Sequence, residues 1–120
     1  MRYIIDTCVL ICILQNDRKK LGNIYDLIVL QPCELFVSIA SYWEIAIKKN
    51  LGKLSVPSNL AHIIEESGFK WLAIDPLHID KLSTLPPHHN DPFDRLLVAQ
   101  SKVSLMQLLT LDEKVKMYLV

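Results

Sequence analysis

The chain has 120 residues, 51% of them hydrophobic, and its 13 basic and 13 acidic side chains balance to a formal charge of zero. That length suits a single domain, residues 1–120, with a core large enough to need no disulfide staples, and the neutral balance leaves nucleic-acid binding to a local basic patch. A mean hydropathy of +0.25 in so short a chain implies apolar surface left over for a partner or a second copy.

Residues 2–6, Arg-Tyr-Ile-Ile-Asp, read as a strand: apolar, β-rich and closed by an acid. A helix is expected from about Val9 to Asn16. Its apolar run is too short to span a bilayer, and no small-residue cleavage site follows, so the chain reads as cytoplasmic with no membrane segment. A second helix is expected over Arg18–Leu30, with Leu14, Leu21, Ile24, Tyr25 and Ile28 giving these two helices an apolar stripe. Pro32 breaks the chain, and residues 34–38 form the second strand. Residues 39–51 read as a helix stopped at Gly52, with Trp43 packing inward. Pro57-Ser58 opens another helix, to about Ser67, stopped by Gly68. Trp71–Ile74 is the third strand, and Pro76 starts a short helix to Leu82. The proline-rich run 85–90 is a loop. Asp91 and Pro92 are an N-cap pair opening a helix to about Val103, apolar on every face and therefore buried. Leu108–Thr110 is the fourth strand, and a last helix closes the chain. Strands alternating with helices argue α/β architecture: a central parallel sheet of four to five strands flanked by helices on both faces.

Four acids fall at informative places in this plan. Asp6, Glu44 and Asp112 stand where a strand gives way to a helix or turn, and Asp94 opens a helix. Ligands bind at the carboxyl ends of strands in an open parallel sheet. Four carboxylates on one such edge repel each other unless a divalent cation neutralises them, and Mg²⁺ or Mn²⁺ suits an all-oxygen shell. Each acid also has a structural reading. Asp91 and Asp112 can cap helices, Asp94 can oppose a helix dipole, and Glu44 can close a capping box with Ser41 or pair with Lys48. Asp6, after Tyr3-Ile4-Ile5, is costly to bury without a partner.

Further candidates are weaker. Thr7 can hold a phosphate or cap a helix. Lys48, Lys49, Lys53 and Arg95 can contact phosphates or form a solvated face. His88 and His89 suit acid catalysis, though a loop-surface role fits their setting better. Trp43 and Trp71 read as core. Cys8, Cys12 and Cys33 form no regular framework and read as buried free thiols; a zinc site with His88 and His89 is the alternative.

Four blocks carry a family likeness across essentially the whole chain. They are Ile4-Ile5-Asp6-Thr7; Ser41–Lys48 with Leu51-Gly52-Lys53-Leu54; Leu85–His89 running into Asp91–Gln100; and Leu109-Thr110-Leu111-Asp112. In order and spacing they resemble PIN-domain ribonucleases, and among these the VapC-type toxins of bacterial toxin–antitoxin pairs. The resemblance implies a PIN-like fold and an Mg²⁺- or Mn²⁺-dependent endoribonuclease. It also implies an acidic quartet at Asp6, Glu44, Asp94 and Asp112, with Asp91 as an added acid behind it. RNA is the implied substrate, a cognate antitoxin the implied partner, and a homodimer the implied state. Cys8 departs from the His, Asn or Ser of many relatives, which touches substrate contacts rather than metal ligation. A catalytically inactive relative that only binds RNA or protein is the rival reading. A metal-dependent phosphatase would want a second Asp two residues after Asp6, where Cys8 stands.

Overall fold

A computed structural model describes residues 1–119 of the chain. Its sheet has four parallel strands: β1 (Arg2–Ile5), β2 (Glu34–Ser38), β3 (Lys70–Leu72) and β4 (Gln107–Leu109). Their order is β3-β2-β1-β4. The chain therefore steps outward from β1 through β2 to β3, then returns to add β4 on the other side of β1. The direction of winding reverses between β1 and β4, and a crevice opens there at the carboxyl ends of the strands. Ile5 is in register with both Val37 and Leu109. The Asp6 N–H donates to the Leu109 carbonyl at 3.1 Å, so the β1–β4 ladder runs one residue beyond the strand.

Alternation along β1 sorts the core. Tyr3 and Ile5 pack with Val37 and Leu109 on one face, beneath α1 (Thr7–Leu14), α2 (Arg18–Leu21), α4 (Ile39–Asn50) and α5 (Leu60–Glu66). Ile4 and Leu108 point to the other face, beneath α7 (Pro92–Ser104) and α8 (Glu113–Lys116). Both faces are covered, as a parallel sheet requires. In α7 Leu96, Leu97, Val98, Ala99, Gln100 and Ser101 are all buried, which matches its apolar run. Among the described residues no helix is long and apolar enough to cross a membrane.

Several boundaries differ from the sequence expectation for identifiable reasons. The helix expected over Arg18–Leu30 is two, α2 and α3 (Asn23–Val29), because Gly22 adopts φ +56° and ψ −128°, outside helical space. The fifth helix starts at Leu60 rather than Pro57. The third strand is Lys70–Leu72 rather than 71–74, and the fourth ends at Leu109 rather than Thr110. After Pro76–Lys81 (α6) the chain tightens into a 3₁₀ turn, Leu82–Thr84, and α8 passes into another, Met117–Leu119; Val120 lies outside the described residues. Gly52, at φ +73°, is the stop it was expected to be: its N–H donates to Lys49 and that of Lys53 to Lys48, closing the helix end.

The stripe on the early helices is not an exposed ridge. Leu21 is buried, and Leu14, Ile24, Tyr25 and Ile28 pack partly against the core. Trp43, expected inside, is 58% exposed and leans its ring edge on Phe93 at 5.2 Å. Trp71 is half-buried, with its ring against Tyr42 and its Nε1–H donating to Glu65. Of the thiols, Cys12 is buried and Cys33 half-buried, but Cys8 is exposed, contrary to the expectation of three buried ones.

Of the two structural readings of Glu44, the pair with Lys48 is present and the Ser41–Glu44 capping box is not, because α4 begins at Ile39 and Ser41 lies inside it. Ser38 is the cap, its Oγ accepting from the Ala40 N–H at 3.0 Å, and the Ser41 hydroxyl is buried without a partner. Ser38→Ala should therefore cost about 1 kcal/mol, whereas Ser41→Ala should be neutral or slightly stabilising. Urea denaturation of the two variants checks this; the opposite order would restore the capping box.

Candidate functional site

Asp6 is the N-cap of α1 and is buried at 3% exposure, its Oδ1 accepting from the Val9 N–H at 2.8 Å. Thr7, the next residue, turns its hydroxyl away from any capping role and donates to Glu44 Oε1 at 2.6 Å. Glu44 is buried in the middle of α4, and its other oxygen takes the Lys48 ammonium at 3.0 Å, one turn on. Asp91 caps α7 through Oδ1, which accepts from the N–H groups of Phe93 and Asp94 at 2.9 and 3.0 Å. That cap places Asp94 in the first turn, facing the carboxyl edge of the sheet. Asp112 caps α8 by the same means, with Oδ1 on Lys114 N at 2.8 Å and Val115 N at 3.4 Å.

The capping readings of Asp91 and Asp112 thus hold alongside the clustered one, and the cap of α1 is Asp6 rather than Thr7. A cap fixes the carboxylate by one oxygen, and at Asp112 the other lies 3.5 Å from His89 Nε2.

Electrostatics shows that the four acids share a field. Burial is the main cause lifting Asp6 above the ordinary carboxylate range, opposed by hydrogen bonds from Thr110 and Val9; the charges of Asp112 and Glu44 add to the rise. Asp94 is pushed up to about 6, by burial first and then by Asp91, Glu44 and Asp6, with His89 pulling the other way. Like charges gathered at one partly buried site oppose folding, and a domain is held by only ~5–15 kcal/mol in all. Lys48 answers the same field: its bond to Glu44 raises its pKa most, burial lowers it, and the charges of Glu44, Asp91 and Asp94 raise it further.

Two basic residues stand differently from expectation. Arg95 is spent on structure. Its Nη1 donates to the Pro86 carbonyl at 3.1 Å and the Tyr118 hydroxyl at 2.9 Å, and its Nη2 to the Leu82 carbonyl at 3.2 Å. It holds the 85–90 loop against α7 rather than presenting a fork to solvent. His89 is not on the loop surface: its Nε2 lies 2.9 Å from Asp94 Oδ2 and 3.5 Å from Asp112 Oδ2. Among the described residues, His89, Asp94 and Asp112 are the one group of three whose ligand atoms all lie within 4.8 Å of one another, and it contains no cysteine, which removes the support for a cysteine zinc site. His88 instead sets its ring edge on Tyr118 at 5.0 Å. The signal that could have placed His89 is its spacing, two residues before a capping Asp-Pro pair. Lys49 and Lys53 are exposed.

The strained carboxylate at Asp94 has a thermodynamic signature. The folded chain keeps this proton up to about pH 6 while the unfolded chain releases it near the ordinary carboxylate value of 3.8. This group's contribution to stability is therefore greatest below that window and is lost as pH rises through it. Metal-free Asp94→Asn should melt above wild type at neutral pH, by about 4 °C, and the gap should close by about pH 4. Circular-dichroism melts in a chelator test it; equal melting temperatures at neutral pH would show that Asp94 carries no strain.

Comparisons with known proteins agree with this layout. Residues 3–118 match the PIN domain family model. No curated protein matches the chain at a significant level. Among solved structures, a chain of the VapBC2 complex of Rickettsia felis, bound to a DNA fragment from its promoter, superposes with a TM-score of 0.71 at 14% identity. The match covers 98% of this chain and 93% of that one. A chain of VapBC-1 from nontypeable Haemophilus influenzae gives 0.69 at 18% identity, over 99% and 92%. A toxin–antitoxin complex from Klebsiella pneumoniae gives 0.62 at 16% identity, over 92% and 86%. At such identities the structures share a fold with this chain, and the family match supplies the kinship: the chain belongs to the PIN domain family.

Proposed function

We propose that the protein is a Mg²⁺- or Mn²⁺-dependent endoribonuclease that hydrolyses RNA phosphodiesters, and that it serves as the VapC-type toxin of a toxin–antitoxin pair. The observation that carries this reading is the convergence of Asp6, Glu44, Asp94 and Asp112 at the switch point of the sheet, where burial first, and then the charges of Asp91, Glu44 and Asp6, lift Asp94 to about 6. Retention of all four acids favours it over an inactive binding module.

The residues present fit a hard divalent ion. The donors are carboxylate oxygens, and Asp94 and Asp6 both resist ionisation in the absence of added positive charge. Asp6, Asp94 and Asp112 would hold the ion, with Glu44 joining directly or through water and Asp91 fixing the turn that presents Asp94. Such an ion supplies Lewis-acid charge and acidifies water for attack on a phosphodiester.

The chain's own part is placement. Thr7 orients Glu44 by its hydrogen bond, so its hydroxyl serves the acid before any phosphate. Lys48 neutralises Glu44 and is 46% exposed at its side chain, within reach of a phosphate oxygen at the mouth of the site. Trp43 and Phe93 lie next in sequence to Glu44 and Asp94, and Trp43, set against the half-buried Phe93, exposes an aromatic surface of the kind on which bases stack.

The fold relatives are toxin–antitoxin complexes, and on that basis we assign an antitoxin as partner; a homodimer as the working state and the cytoplasm as location are proposed from the sequence alone. Light scattering across micromolar concentrations tests the dimer, and a strict monomer would overturn it.

Asp6→Asn and Glu44→Gln should each depress RNA cleavage by more than the roughly 10–100-fold typical of residues behind a metal site, with circular dichroism unchanged. A folded variant cleaving at the wild-type rate would displace that residue from the site. Saturating Mg²⁺ or Mn²⁺ should stabilise the wild type by about 2.7 kcal/mol at 100-fold excess over its dissociation constant. The gain should disappear in an Asp6→Asn/Asp94→Asn double variant; an equal gain there would mean that the ions act elsewhere.

A further inference from the structure

We infer that His89 is a positioning residue that braces Asp94 and Asp112 at the separation a bound divalent ion requires. The inference rests on the metal-site reading above and adds a residue to it.

The argument begins with the protons. The Asp91 N–H points at His89 Nδ1 at 3.3 Å, so that nitrogen accepts. A neutral imidazole accepting at Nδ1 carries its proton on Nε2. Nε2 faces Asp94 Oδ2 at 2.9 Å and Asp112 Oδ2 at 3.5 Å, so the ring donates to the first carboxylate and leans towards the second. A nitrogen that carries a proton has no lone pair for a metal, which separates His89 from the oxygen donors beside it. Hydrogen-bonding partners of metal-bound carboxylates are a general means of fixing their orientation.

The His89 backbone is held in turn. Its main-chain N–H donates to the Tyr118 hydroxyl at 3.0 Å, and that hydroxyl also accepts from Arg95. The His89 side chain is 16% exposed, so solvent does not set its orientation. Asp91 therefore serves both ends of one short unit: its N–H sets the imidazole, and its carboxylate caps the helix that carries Asp94. Asp94 and Asp112 come from different helices, α7 and α8. Among the described residues, His89 is the side chain that touches both acids.

The test is calorimetric titration of the purified full chain with Mg²⁺ and, separately, Mn²⁺. His89→Ala should weaken both ions by a similar factor, about 10–100-fold, and His89→Gln, which restores an N–H donor, should recover most of the loss. If the alanine variant does not fold, His89→Met, of similar bulk and without a donor, takes its place. Unchanged affinity would overturn the brace. Tighter binding would overturn it in favour of a side chain that occupies the ion's place, and a loss confined to Mn²⁺ in favour of a direct nitrogen ligand. A wild type that binds neither ion would sink the metal-site reading itself, a result distinct from all of these.

Discussion

Mutual repulsion among carboxylates is the constraint around which this structure is arranged. Asp6, Glu44, Asp94 and Asp112 are carried by different helices, and nothing about their own chemistry favours their meeting. Packing brings them together. The burial of Tyr3, Ile4 and Ile5 between two helical layers fixes β1, and β1 fixes Asp6 at its carboxyl end. The apolar α7 fixes Asp94 in the same way from the opposite layer. Each acid is then held by an economical device: caps for Asp6 and Asp112, the Thr7 hydroxyl for Glu44, the Asp91 turn for Asp94. Core stability is thereby converted into a focused negative potential, which is what a hard cation needs.

Much of this was legible in the sequence because it rests on local chemistry. Strand ends, the Asp91-Pro92 cap and the apolar run of α7 are short-range signals, and they located the four acids on one sheet edge. What stayed hidden is what depends on distance in space. Ser41-x-x-Glu44 has the spacing of a capping box, but β2 hands over to α4 at Ser38, so the pattern falls inside the helix. Trp43 looks like core by composition, yet the face of α4 that meets the sheet carries Ala40, Ser41, Glu44 and Ile45 instead. Leu21 reads as part of a stripe and is buried once Gly22 turns the chain.

The two basic residues beside the acids show the same limit from the other side. Charge alone makes Arg95 look like a phosphate contact and makes His89 look like loop surface. The planar fork of Arg95 is instead satisfied by carbonyls of the 82–89 segment and by Tyr118, a geometry that lysine would not reproduce. That clamp keeps the His89 backbone where its ring meets two carboxylates. A surface cation and a loop histidine become, in space, parts of one support for the site.

The position of β1 also bears on when the protein becomes competent. Its two neighbours are β2, made shortly after it, and β4, whose Leu108 is in register with Ile4. Roughly the whole domain must therefore leave the ribosome before the β1–β4 seam can close, and contacts of such sequence separation form slowly. The crevice lies on that seam, and one of its walls carries Asp112. A nascent chain holding Asp6 and Glu44 alone lacks the other two acids, so the acidic cluster is assembled only when synthesis is nearly complete.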